Sequence, residues 1–135
     1  MNVCKALFCL LLIFALDGCG DPDKVIEESH QAYVSSFGWK IDSKMDATSE
    51  TLRHAPEQID NLKVAGMDFS PYQGKEAVIT TYILKDKQKN GDDMWVKVYE
   101  VEDEIIGGFG ILEGWDPGLF SLEDKERVVR DGIIR

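Results

Sequence analysis

The sequence predicts an α+β fold, a single domain in two layers in which an antiparallel β-meander is covered on one face by N-terminal helices. Three observations lead there. Three β-rich runs of alternating polarity follow one another in the centre of the chain, joined by short polar connections, which is the pattern of a meander and not of parallel βαβ units. Two stretches with helical spacing precede them, and a sheet with an apolar face must bury it against some other element. The chain has 135 residues, enough for one hydrophobic core and too short for two domains.

The first helix is expected to open at Pro22, with Asp21 as N-cap and Asp23 in the first turn, where negative charge meets the positive end of the helix dipole. Val25, Ile26, Ser29, Ala32, Tyr33, Ser36 and Phe37 recur at three- and four-residue intervals and define its inward face. Gly38 ends it as a left-handed cap. Residues 39–42 read as a short strand, and residues 48–52 as a run that pairs with it or continues it beyond an irregular 43–47. Pro56 opens a second helix carrying Ile59 and Leu62, closed by Gly66.

Residues 76–84 alternate, with Ala77, Ile79, Thr81 and Ile83 facing one way and Val78, Thr80, Tyr82 and Leu84 the other. A polar loop over 85–93 leads to the strand 94–101, in which Met94, Val96 and Val98 oppose Trp95, Lys97, Tyr99 and Val101. The acidic turn Glu102-Asp103-Glu104 returns the chain through 105–112. Gly114 and Asp116-Pro117-Gly118 mark turns. Ser121, with Asp124 three residues on, starts a capped helix that runs to Arg130 before Gly132. Its only apolar residues are Leu122, Val128 and Val129, which predicts loose packing at the edge of the domain.

Residues 1–18 read as a signal segment, leaving residues 19–135 as one extracytoplasmic domain. Lys5 gives a weak basic start, residues 6–16 are apolar, and Gly18 is small. An apolar stretch of that length falls short of the roughly 20 residues a membrane-spanning helix requires. Leu16-Asp17-Gly18-Cys19 resembles the lipobox of bacterial lipoproteins, with Asp17 as the departure from its pattern. The resemblance implies cleavage before Cys19 and a diacylglyceryl anchor on its thiol. The alternative is an ordinary secretory signal cut near Gly18 or Gly20. Cys4 and Cys9 fall within the removed segment, so Cys19 becomes the only thiol and no internal disulfide can form. Several acyl chains, at about 0.8 kcal/mol per buried CH₂, hold a protein on a membrane more firmly than one.

Loss of Lys5 and Asp17 cancels, so the formal net charge stays at -10. Nucleic acid and anionic lipid headgroups repel such a surface, which leaves the lipid on Cys19 as the contact with the cell membrane. The order Phe37-Gly38-Trp39, Gly66-Met67-Asp68-Phe69-Ser70 with Tyr72, Gly74 and Lys75, then Ile106-Gly107-Gly108 is similar to a family of small bacterial lipoproteins catalogued as domain of unknown function 4830. The likeness spans residues 25–112 and implies an envelope location. It carries over no catalytic or binding residue, because that family has no established activity.

No catalytic, cofactor or metal-binding set is legible in the sequence. Glu27 and His30 lie one helical turn apart, a spacing that can hold a metal or tune a base, but a solvated helix-face histidine is the expected state. His54, before Ala55-Pro56, reads as a connector. No Gly-x-Ser-x-Gly elbow is present. Asp86-x-Gln88-x-Asn90-Gly91-Asp92 imitates a calcium loop, yet its twelfth position is Lys97, where a bidentate carboxylate is required, so a hairpin turn at Asn90-Gly91 is expected. Gly107-Gly108-Phe109-Gly110 reads as a bent strand beneath a helix, or else as the floor of a shallow site walled by Trp95, Phe109 and Trp115. Those three aromatics are the candidate binding surface. The lack of a legible catalytic constellation favours a non-catalytic, membrane-tethered domain that binds an envelope protein, peptide or wall component. The competing class is a small hydrolase or metal-dependent enzyme using acidic residues, with a structural or folding accessory role as the remainder.

Overall fold

The computed structural model describes residues 24–134. The expectations for the signal segment, Cys19, the Asp21 cap and the Pro22 helix start lie outside the described residues. The elements run α1 (Glu28–Ser35), β1 (Ile41–Thr51), α2 (Pro56–Val64), β2 (Glu76–Lys87), β3 (Asp93–Val101), β4 (Glu104–Leu112), β5 (Leu119–Phe120) and α3 (Lys125–Arg130), with short 3₁₀ turns at Ser70–Tyr72 and Leu122–Asp124. The five strands form one antiparallel sheet in chain order, the expected three-strand meander (β2–β4) extended by β1 along one edge and the short β5 along the other.

Helix α1 starts later than expected. Its N-cap, Glu27, has extended backbone (φ -71°, ψ 132°), and Ile26 packs on the core from outside the helix. The inward stripe is also rotated. His30 and Val34 are its buried residues, flanked by Tyr33 and Phe37, so Ser29, Ala32 and Ser36 do not form the packed face. Trp39 is buried ahead of β1 and not within it. The irregular stretch 43–47 appears as two register shifts, between Ile41 and Ser43 and between Lys44 and Asp46, inside one continuous edge strand. Bulges at an edge twist it away from unwanted pairing.

Strand alternation sorts the side chains onto two faces. Tyr82, Leu84, Met94, Val96, Val98 and Leu112 join Val34 and Trp39 with Phe120, Leu122, Val128 and Ile134 in one cluster. Ala77, Ile79, Tyr99, Val101 and Phe109 join Leu52, Ala65, Met67 and Phe69 in a second. The first face is covered by α1 and the C-terminal segment. The structure adds a smaller cover on the opposite face, made by residues that flank α2, a helix with no fully buried side chain of its own.

The C-terminal segment does not pack loosely. Trp39 Nε1 donates to Leu122 O at 2.9 Å, Lys125 Nζ lies 4.7 Å from the centroid of the Trp39 ring, and Leu122, Val128 and Ile134 are all buried. The tight seating is not encoded locally, because Trp39, which bonds to Leu122, lies 83 residues away in the chain. Ser121 caps the turn as expected, its Oγ accepting from Glu123 N at 3.4 Å.

Candidate functional site

The first turn of α1 supplies Glu27 and His30, β2 supplies Tyr82, and β3 supplies Glu100. His30 is fully buried, which corrects the expectation of a solvated histidine. Its Nδ1 lies 2.6 Å from Tyr82 Oη, and its Nε2 lies 2.8 Å from Glu100 Oε1 and 3.5 Å from Glu27 Oε2. The physical reason for its burial is this set of partners, since a buried imidazole is tolerated when both nitrogens are hydrogen-bonded. One consistent arrangement has Tyr82 donating to Nδ1 while Nε2–H donates to Glu100. Burial pushes the Tyr82 hydroxyl up to about 12, so the phenol keeps its proton at neutral pH.

The cluster grades from dry to wet. The imidazole is inaccessible, the Glu100 side chain is 18% exposed and that of Glu27 is 46% exposed. Two carboxylates therefore stand between solvent and a buried ring, a set able to take up a proton or a cation. Glu100 and Tyr82 were missed in the sequence reading, although the alternation pointed to them. Glu100 continues the row Met94, Val96, Val98, so it is a charge on the core-facing side of β3 and needs a partner there.

The predicted aromatic surface loses Phe109, and no ring contact joins Trp95 and Trp115 among the described residues. Phe109 is 5% exposed and stacks on Tyr99 with ring centroids 5.8 Å apart, so it belongs to the second core cluster and is no wall of a site. Trp115 is 54% exposed, and its Nε1 donates to Gln88 Oε1 at 2.8 Å. Trp95 is half-buried on the face opposite α1, in register with Ile83 on β2 and Ile111 on β4. Its indole N–H is shielded and has no acceptor among the described residues. Ile83 and Trp95 belong to neither core cluster.

The glycine segment serves packing. A Cβ on Gly107 would lie 2.2 Å from Met67 Sδ, and one on Gly110 2.0 Å from the Phe120 ring. The chain's own side chains fill the space that a ligand would need. The calcium-like loop is a hairpin connection, with Gly91 at φ 93° and Gln88 Nε2 donating to Glu113 O at 2.8 Å. His54 accepts a stacking contact from Phe69, ring centroids 4.9 Å apart, as a connector packed on the second cluster. An open groove of about 580 Å³ is lined by Phe37, Glu123, Lys125, Glu126, Val129 and Arg130 and includes neither the His30 cluster nor the three predicted aromatics. No described helix is long and apolar enough to cross a membrane. No family model, curated protein or solved structure matches the chain.

Proposed function

We propose that the protein is a bacterial envelope lipoprotein, anchored through Cys19 to the extracytoplasmic face of the cell membrane, and that its domain is a non-catalytic binding module. Membership in the lipoprotein family of unknown function 4830 belongs to the same proposal. Trp95 carries the binding part. It is a large aromatic side chain left only partly buried on the sheet, beside Ile83, and belongs with Ile83 to neither buried cluster. Tryptophan is among the side chains enriched at interface anchors because of its large apolar area, and here the ring is what is offered, since the indole N–H is shielded.

The partner that fits is an envelope protein presenting an apolar segment with basic residues at its rim. The net charge of -10 would steer such a partner in and would repel an acidic one. The test uses membranes from cells carrying the wild type, Trp95→Ala or Cys19→Ser. A specific crosslinked partner should be captured by the wild type and lost with Trp95→Ala, while the variant protein stays folded and membrane-bound. Capture that is indifferent to Trp95 would overturn the binding surface. Cys19→Ser should move the protein to the soluble fraction and remove the acyl mass from the intact protein; an unmodified wild-type thiol would overturn the anchor.

A second reading, a metal-dependent envelope enzyme, is favoured by one observation, the convergence of Glu27 and Glu100 on His30.

A further inference from the structure

We infer that Glu27, His30 and Glu100 form a binding site for one divalent first-row transition ion, of which Zn²⁺ is the best match. The site is independent of what the sheet face binds. One donor atom from each residue can be chosen so that all three lie within 4.8 Å of one another. Two ligands on one tetrahedral zinc, with bonds near 2.0 Å, stand about 3.3 Å apart. The observed Nε2 separations of 2.8 Å to Glu100 Oε1 and 3.5 Å to Glu27 Oε2 bracket that value. Both Nε2 pairs therefore need to change by only about 0.5 Å or less to share an ion, while the two carboxylates, within 4.8 Å of one another, are brought together by movement of the more exposed Glu27.

The surroundings suit the same purpose. A metal-binding histidine is oriented by a hydrogen bond at its other nitrogen, and here Nδ1 is held at 2.6 Å by Tyr82 Oη. On binding, the ion takes the Nε2 lone pair. The ring proton then sits on Nδ1 and is donated to Tyr82 Oη, which turns from donor to acceptor; a ring that starts as imidazolium releases one proton. Two carboxylates and a neutral imidazole make a divalent complex with no net charge, which suits a site that is half sheltered. The 46% exposure of Glu27 leaves a route of entry and room for water as a fourth ligand. One imidazole with two carboxylates matches zinc and its neighbours better than Ca²⁺ or Mg²⁺, which favour all-oxygen shells.

The experiment is calorimetric titration of Zn²⁺ into the full chain without a histidine tag, with Cys4→Ser, Cys9→Ser and Cys19→Ser so that no thiolate competes. One ion per chain is expected, with a rise in melting temperature and a shift of the His30 Nε2 resonance in the NMR spectrum. Glu27→Gln, at a largely exposed position that the fold tolerates, should weaken binding at least ~10-fold, and Glu100→Gln should do the same. Asp60→Asn, in an exposed pair with Lys63, should leave it unchanged. Absence of stoichiometric binding, affinity untouched by Glu27→Gln and Glu100→Gln, or equal affinity for Mg²⁺ would overturn the site.

Discussion

At the scale of single residues, the fold depends on polar groups placed in dry surroundings, and pH should expose that dependence. Burial raises the hydroxyls of Tyr82 and Tyr99 to about 12, and Tyr33 moves the same way for the same first cause. An unfolded tyrosine loses its proton near pH 10. Between those values the unfolded chain holds fewer protons than the native one, so stability falls as pH rises. The contribution is intact below pH 10 and is lost as pH climbs through the folded value near 12. Thermal melts from pH 8 to 12 should therefore be flat at first and then fall. Tyr82→Phe should lower stability at neutral pH by about 1–3 kcal/mol, because His30 Nδ1 loses its partner, yet should give a shallower alkaline slope. An unchanged slope in that variant would show that the buried phenol is not the titrating group. The Glu27–His30 spacing was visible in the sequence, but Tyr82 and Glu100 are 52 and 70 residues from His30, a pairing that no local pattern encodes.

At the scale of elements, local chemistry was legible wherever the chain decides its own conformation, as in the alternation of β2 and β3, Pro56 at the start of α2 and the hairpin at Asn90-Gly91. It was not legible where a distant partner decides. The start and rotation of α1 follow from the need of His30 to reach β2 and β3, and the firm seating of the C-terminal segment follows from Trp39. The turn between β3 and β4 is a local compromise. Glu102 and Asp103 have φ of 52° and 63°, the left-handed pair of a type I′ hairpin, which favours Asn-Gly. A residue with a Cβ pays roughly 1–2 kcal/mol for that conformation. The double substitution Glu102→Asn, Asp103→Gly should stabilise the protein by about 1 kcal/mol, part of the relief being returned as the greater entropy of glycine in the unfolded chain. Urea denaturation would report this as a higher midpoint at constant m-value. A lower midpoint would mean that the acidic side chains, including the 3.7 Å pair of Glu102 with Lys75, contribute more than the strain costs.

At the scale of the whole molecule, the two buried clusters lie back to back on the same strands. Val98 and Tyr99 are consecutive residues of β3, yet one belongs to the first cluster and the other to the second. Loosening either layer frees the strands on which the other depends, so the domain should unfold as one unit despite having two cores. Leu84→Ala in the first cluster should cost about 2–5 kcal/mol and Phe69→Ala in the second about 3–5 kcal/mol, both side chains being fully buried. In each variant, tryptophan fluorescence and far-UV circular dichroism should give coincident thermal transitions, as two-state unfolding requires. The weakest point for this expectation is α2, which has no fully buried residue and holds the second layer through Ala65, Met67 and Phe69 after its C-terminus. If Phe69→Ala split the melt, with loss of helical signal ahead of the main transition, the second layer would be a separately opening flap. The sheet around Trp95 would then become more exposed without global unfolding, and the proposed binding surface would be larger than in the native state.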